Sequence, residues 1–133
     1  QDMSDVYHLL SLLESDAAGV VASKVTPSQL TELQTLHNEL EASIGERERF
    51  FDVNEQFHMR LLELANNRWR NQVVADLRKV MKLNRHSSLL KSGRLQESLA
   101  EHRAIMAALL ARDAQAATER MREHFANGLH AAG

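Results

Sequence analysis

What most restricts this chain is the spacing of its apolar residues, which recur every three or four positions over long stretches with no sustained two-residue alternation. One proline and five glycines leave few places where such stretches can break. The expectation is an all-α fold, an antiparallel bundle of about six helices joined by short turns. The first spans about Asp5 to Ser23 and turns Val6, Leu9, Leu10, Leu13, Ala17 and Val20 toward the core. Thr26-Pro27 reads as an N-cap followed by proline in the first turn, opening a second helix with Leu30, Leu33, Leu36 and Leu40 that ends before Gly45. A third covers about Glu46 to Ala65. Asn66-Asn67 ends it and caps a fourth, whose apolar positions are Trp69, Val73, Leu77, Val80 and Met81 and which fades near Ser87-Ser88. After Lys91-Ser92-Gly93 a fifth runs from about Leu95 to Ala111, and Asp113 caps a sixth that reaches about Leu129. No repeat, low-complexity tract or linker interrupts residues 1–133, so they read as one domain, and a 44% hydrophobic content suffices for one core.

Several function classes drop out. Without cysteine there is neither a disulfide framework nor thiolate metal ligation, and the cytoplasm is the expected compartment. No apolar run approaches the roughly 20 residues that cross a bilayer, so no membrane partner is expected. Sixteen basic against 18 acidic residues give a net charge of -2, and the basic ones are scattered rather than gathered along a stripe. The chain by itself is therefore not expected to bind DNA. Its start at Gln1, on the approach to a helix, suggests a fragment of a longer protein.

The informative residues are polar ones that fall inside apolar stripes. The third helix reads Phe50, Phe51, Asn54, Phe57, His58, Leu61, Leu62 and Ala65 on one face, so Asn54 and His58 point inward together. His102 sits at the centre of Leu95, Leu99, Ile105, Met106 and Leu109, and His124 within Ala114, Ala117, Met121, Phe125 and Gly128. A buried polar group without a partner costs roughly 1–3 kcal/mol, so three inward imidazoles and an amide must satisfy one another or share something else. A common divalent cation would do so; histidines simply satisfied in the core are the alternative. His8, His37, His86 and His130 fall on polar faces, stripe borders or helix ends and read as surface residues.

The strings Asn54-Glu55-Gln56-Phe57-His58, Glu101-His102-Arg103-Ala104-Ile105 and Met121-Arg122-Glu123-His124 resemble the signature of the FCD domain, the C-terminal effector domain of FadR-type GntR regulators. Leu13-Glu14, Ala65-Asn66-Asn67, and Ala107-Ala108 through Asp113 to Ala116-Ala117 extend the likeness over nearly the whole chain. The resemblance implies a helical bundle enclosing a divalent metal ion, zinc first with nickel, iron or manganese as the other choices. Carried over, the ligands are Asn54, His58, His102 and His124, and a small organic acid, a carboxylate, completes the coordination. It further implies a homodimer whose N-terminal winged helix-turn-helix, absent from this chain, binds operator DNA and regulates transcription. Many relatives have aspartate at the position of Asn54, and arginine at that of Leu10; Arg85 is the candidate here for the effector-binding arginine.

Two other classes compete with a sensor that is not an enzyme. A ferritin-like carboxylate site needs two Glu-x-x-His motifs, and this chain has only Glu55-Gln56-Phe57-His58. A hydrolytic metal site lacks an evident general base, since Glu101 and Glu123 adjoin their histidines in sequence and point about 100° away from them. The remaining alternative is a dimerisation bundle with no ligand.

Overall fold

A computed structural model describes residues 3–84 and 93–132. Among them are six helices and no strand: α1 (Ser4–Lys24), α2 (Pro27–Ala42), α3 (Arg47–Ala65), α4 (Arg68–Asn84), α5 (Arg94–Leu110) and α6 (Ala114–Ala132). The boundaries follow local chemistry. Thr26 and Gln29 form a reciprocal capping box, with Pro27 in the first turn of α2. Asn66 ends α3 in the left-handed region at φ 60°, and Asn67 Oδ1 accepts from Arg70 N at 3.0 Å to cap α4. Asp113 Oδ1 accepts from Ala116 N in the same way at the start of α6.

The central helix is α1, which packs most extensively on α6 and also touches α3, α4 and α5. Close approach to α6 depends on Gly19, where a β-carbon would lie 2.5 Å from Thr118 Oγ1 and 3.4 Å from the Ala114 carbonyl oxygen. Near the other end, a β-carbon on Gly128 would meet the Tyr7 ring at 3.3 Å, so the two helices run antiparallel. The main core gathers Leu10, Val21, Leu33, Phe57, Leu61, Leu62, Ile105, Leu109 and Met121, and a smaller cluster of Leu40, Phe50, Val53 and Leu99 closes the end where α2, α3 and α5 meet.

Two stripes differ from the sequence reading. In α1 the buried side is Tyr7, Leu10, Glu14, Ala17, Ala18, Val21 and Ala22, whereas Leu9 is 46% exposed and Val6, Leu13 and Val20 are half-buried. In α4 the difference is larger. Trp69, Val73 and Val80 face outward, and the core takes Val74, Met81 and Arg78. An arginine can occupy that position because carboxylates from two other helices meet it there. Of the expected stripe Met81 is buried and Leu77 packs half-buried against the core, so apolar periodicity caught one edge of the buried side while including three residues that face outward.

Candidate metal centre

Helices α3, α5 and α6 deliver His58, His102 and His124 to one point, where one ring nitrogen from each lies within 4.8 Å of the others. His58 and His124 stack with ring centroids 5.3 Å apart; His102 stands edge-on to them at 5.1 and 4.8 Å. All three are buried, and Phe57 and Phe125 pack around them. The inward placement expected from the three stripes is the one found.

Each outer histidine is held by a glutamate. Glu14 Oε1 lies 2.6 Å from His58 Nδ1, and Glu101 Oε1 lies 2.5 Å from His124 Nδ1. These contacts leave each ring's Nε2 for other use, as supporting carboxylates do for metal-ligating imidazoles. His58 Nε2, both ring nitrogens of His102 and the amide oxygen of Asn54 are buried with no hydrogen-bond partner among the described residues. Such orphaned acceptors are costly unless something else meets them. Burial pushes His58 down to about 4 and His102 well below its usual value, so both imidazoles are neutral at pH 7, the state in which they bind metal. The residues present therefore fit a divalent cation.

Neither glutamate was singled out as functional by the sequence. Burial raises Glu14, but the Arg78 guanidinium and His58 outweigh it and hold the carboxyl at about 2. Arg78 Nη1 donates to Glu14 Oε2 at 2.6 Å, while its Nε and Nη2 donate to Glu55 at 3.0 and 3.1 Å. Glu101, expected to point away from its neighbour His102, instead meets His124 on the next helix. It also accepts both Arg94 guanidinium nitrogens at 3.0 Å, and despite partial burial these bonds hold it at about 2. Glu14 stood in the quoted Leu13-Glu14 string and falls four residues from Leu10 on the buried side, which is the signal that would have found it.

Beside the histidines lies a cavity of about 80 Å³. Asn54 and His124 line it together with Tyr7, Phe50, Arg78 and Arg94. Two buried guanidiniums thus face the space next to the imidazole cluster. Arg85, the arginine the sequence favoured for effector contact, lies outside the described residues, as does His86. His37 departs from its surface assignment: it is 4% exposed, with Nε2 2.9 Å from Glu41 Oε2. It falls midway between Leu33 and Leu40 on the face that α2 turns toward the rest of the bundle, so the stripe includes it.

These protonation states give the metal-free protein a defined acid response. Folded His58 refuses a proton until about pH 4, whereas the unfolded chain accepts one near 6.5, so stability falls as pH drops through that window. The loss from His58 alone is about 2 kcal/mol by pH 5, and His102 adds in the same direction. Glu14 and Glu101, lowered from 4.5 to about 2, remove further stability below pH 4.5. Melting curves of chelator-treated protein at pH 7, 6 and 5 should descend; a flat series would mean that these imidazoles are not held neutral.

Comparisons with known proteins bear on the fold and the family. No protein of curated function matches the sequence significantly. Among solved structures, E. coli McbR/YncC superposes with a TM-score of 0.88 at 21% identity, covering 98% of this chain and 63% of the other. A Streptococcus agalactiae GntR protein gives 0.82 at 24%, covering 96% and 58%. The chain thus spans about three fifths of the length of these structures, which share its fold. No helix among the described residues is long and apolar enough to cross a membrane. The sequence matches the FCD domain over residues 5–127, and the chain belongs to the FCD domain family.

Proposed function

We propose that this chain is the effector-sensing domain of a bacterial GntR-family transcription regulator of the cytoplasm. In this reading Asn54, His58, His102 and His124 hold a divalent metal ion, zinc foremost, and the adjacent cavity takes a small carboxylate. The observation that carries it is the convergence of three buried imidazoles, two of them with unpartnered ring nitrogens among the described residues, beside a cavity lined by the third, His124, and by Asn54, Arg78 and Arg94. When bound, the metal supplies positive charge and open positions for an anionic oxygen. The chain's own residues do the rest. Glu14 and Glu101 orient His58 and His124, Arg78 and Arg94 add cationic donors, and Tyr7 and Phe50 exclude water. A volume near 80 Å³ has room for about half a dozen waters, which favours an acid of a few carbons over a long acyl chain.

An enzymatic reading is less well supported. The two carboxylates nearest the imidazoles are both engaged by a histidine and an arginine, so neither is poised as a general base. Operator DNA falls to a winged helix-turn-helix domain elsewhere in the parent protein, and regulation follows from the acid's effect on it.

Calorimetry and elemental analysis on protein purified without chelator test the metal, and a panel of small di- and tricarboxylates tests the effector. An acid present at 100 times its dissociation constant should add about 2.7 kcal/mol to the stability of metal-loaded protein. No thermal shift across the panel would sink the sensor reading. Asn54→Asp should tighten metal binding, since a charged oxygen replaces a neutral one, and weaken the acid's affinity for the loaded protein by lowering the charge it meets. Unchanged metal affinity would remove residue 54 from the ligand set.

A further inference from the structure

We infer that His37 is the positioning partner of His102, reached through one buried water, and that Glu41 behind it serves this third imidazole as Glu14 and Glu101 serve the other two. The inference rests on the metal reading and concerns a histidine outside the ligand set. His58 and His124 each have a carboxylate on Nδ1, whereas neither ring nitrogen of His102 has a partner among the described residues. A shared ion can take only one of them. The other is then a buried N–H, and its desolvation is costly unless an acceptor meets it.

Helix packing brings an acceptor to that level. Helix α2 packs against α5, with Leu40 and Leu99 together in the smaller cluster at one end and Leu33 and Met106 in the main core toward the other. His37 lies four residues beyond Leu33 and three before Leu40; His102 lies three beyond Leu99 and four before Met106. The two rings therefore share one layer of an antiparallel contact. They also sense each other electrostatically: burial chiefly lowers His102, and after His124 and His58 the next contribution comes from His37. The polarity matches as well. Glu41 can only accept, so its 2.9 Å contact sets the proton of neutral His37 on Nε2 and leaves a lone pair on Nδ1. That Nδ1 is itself buried without a partner among the described residues. No direct hydrogen bond joins it to His102, and a water that accepts from the His102 N–H and donates to His37 Nδ1 satisfies both. Arg103 completes the arm, its Nε and Nη2 donating to Glu41 at 2.8 and 2.7 Å one residue past His102. His37 thereby fixes the tautomer of His102 and keeps a lone pair turned toward the ion.

Zinc titration of the full 133-residue chain, with chelator competition, is the test. His37→Leu should weaken zinc binding about tenfold, the low end of the effect of losing a supporting partner, because His37 acts through a water. His37→Asn keeps an acceptor near the place of Nδ1 and should restore most of the affinity. A residue that only fills the core would rank these variants the other way, with leucine ahead. Glu41→Gln changes a side chain that is 35% exposed, so it spares the core, and it should weaken zinc binding by a smaller factor than His37→Leu. Long-range proton–nitrogen spectra of the zinc-loaded wild type should place a ring proton on His37 Nε2 and a solvent-protected one on His102. A ring proton on His37 Nδ1 alone overturns the inference, as does a leucine variant that holds zinc as tightly as the asparagine one. Zinc affinity unchanged in both His37→Leu and Glu41→Gln overturns it while leaving the metal reading in place; wild-type protein that takes up no zinc ends both.

Discussion

Arg78→Met should lower the melting temperature by on the order of 10–20 °C, the largest effect expected of any single substitution outside the apolar core. Arg78 is 1% exposed, and its guanidinium is the cationic partner of Glu14, which is itself fully buried. Removing one member of such a pair strands the other's charge and costs roughly 3–5 kcal/mol. Removing both charges is far cheaper. The double variant Glu14→Gln/Arg78→Met should therefore recover most of the loss, because a glutamine oxygen can still accept from His58 Nδ1. If the single variant melts within a few degrees of wild type, Arg78 is not the counter-charge that the geometry makes it. The same substitution should abolish the thermal response to carboxylates, since it removes one of two cationic groups from the cavity wall.

His102→Ala should weaken metal binding by more than about 100-fold, because loss of a mere supporting partner already costs roughly 10–100-fold. His102 stands edge-on to both of its companions and uses neither ring nitrogen among the described residues, so its removal leaves two imidazoles facing an opened space. Glu101→Gln provides the intermediate case, with His124 kept but less firmly oriented. Metal titration followed by chelator competition ranks the three proteins, and the gain in melting temperature on metal addition should follow that rank. Full metal stoichiometry in His102→Ala would show that the cluster is a set of core histidines.

Periodicity was a good guide wherever one stripe dominated a helix. It placed His58, His102 and His124 inward because each sits among large apolar residues at three- and four-residue spacing, and those helices turn that side to the core. It misled in α4, where two stripes compete. Of its five apolar positions Met81 is buried and Leu77 half-buried, but Trp69, Val73 and Val80 face outward, and the core takes the side with Arg78. The deciding fact, that Glu14 and Glu55 meet that guanidinium, is a contact between distant parts of the chain that no local window contains. His37 was missed for a simpler reason, since a histidine between two leucines was read as a border. The supporting glutamates were legible only in part. Glu14 lay on the buried side of α1, but what it supports is 44 and 64 residues away.

Glu14 touches neither an open coordination position nor the cavity wall, yet one of its oxygens holds His58 and the other holds Arg78. A displacement of α1 by a fraction of an ångström therefore acts on both sites at once. In the proposed reading the ion's and the acid's occupancies are linked through α1, which gives Tyr7 to the cavity wall and no ligand to the ion, and the linkage is reciprocal: whatever factor the ion lends to the acid's affinity, the acid returns to the ion's. A cell's supply of metal would then set the concentration at which such a domain answers its effector.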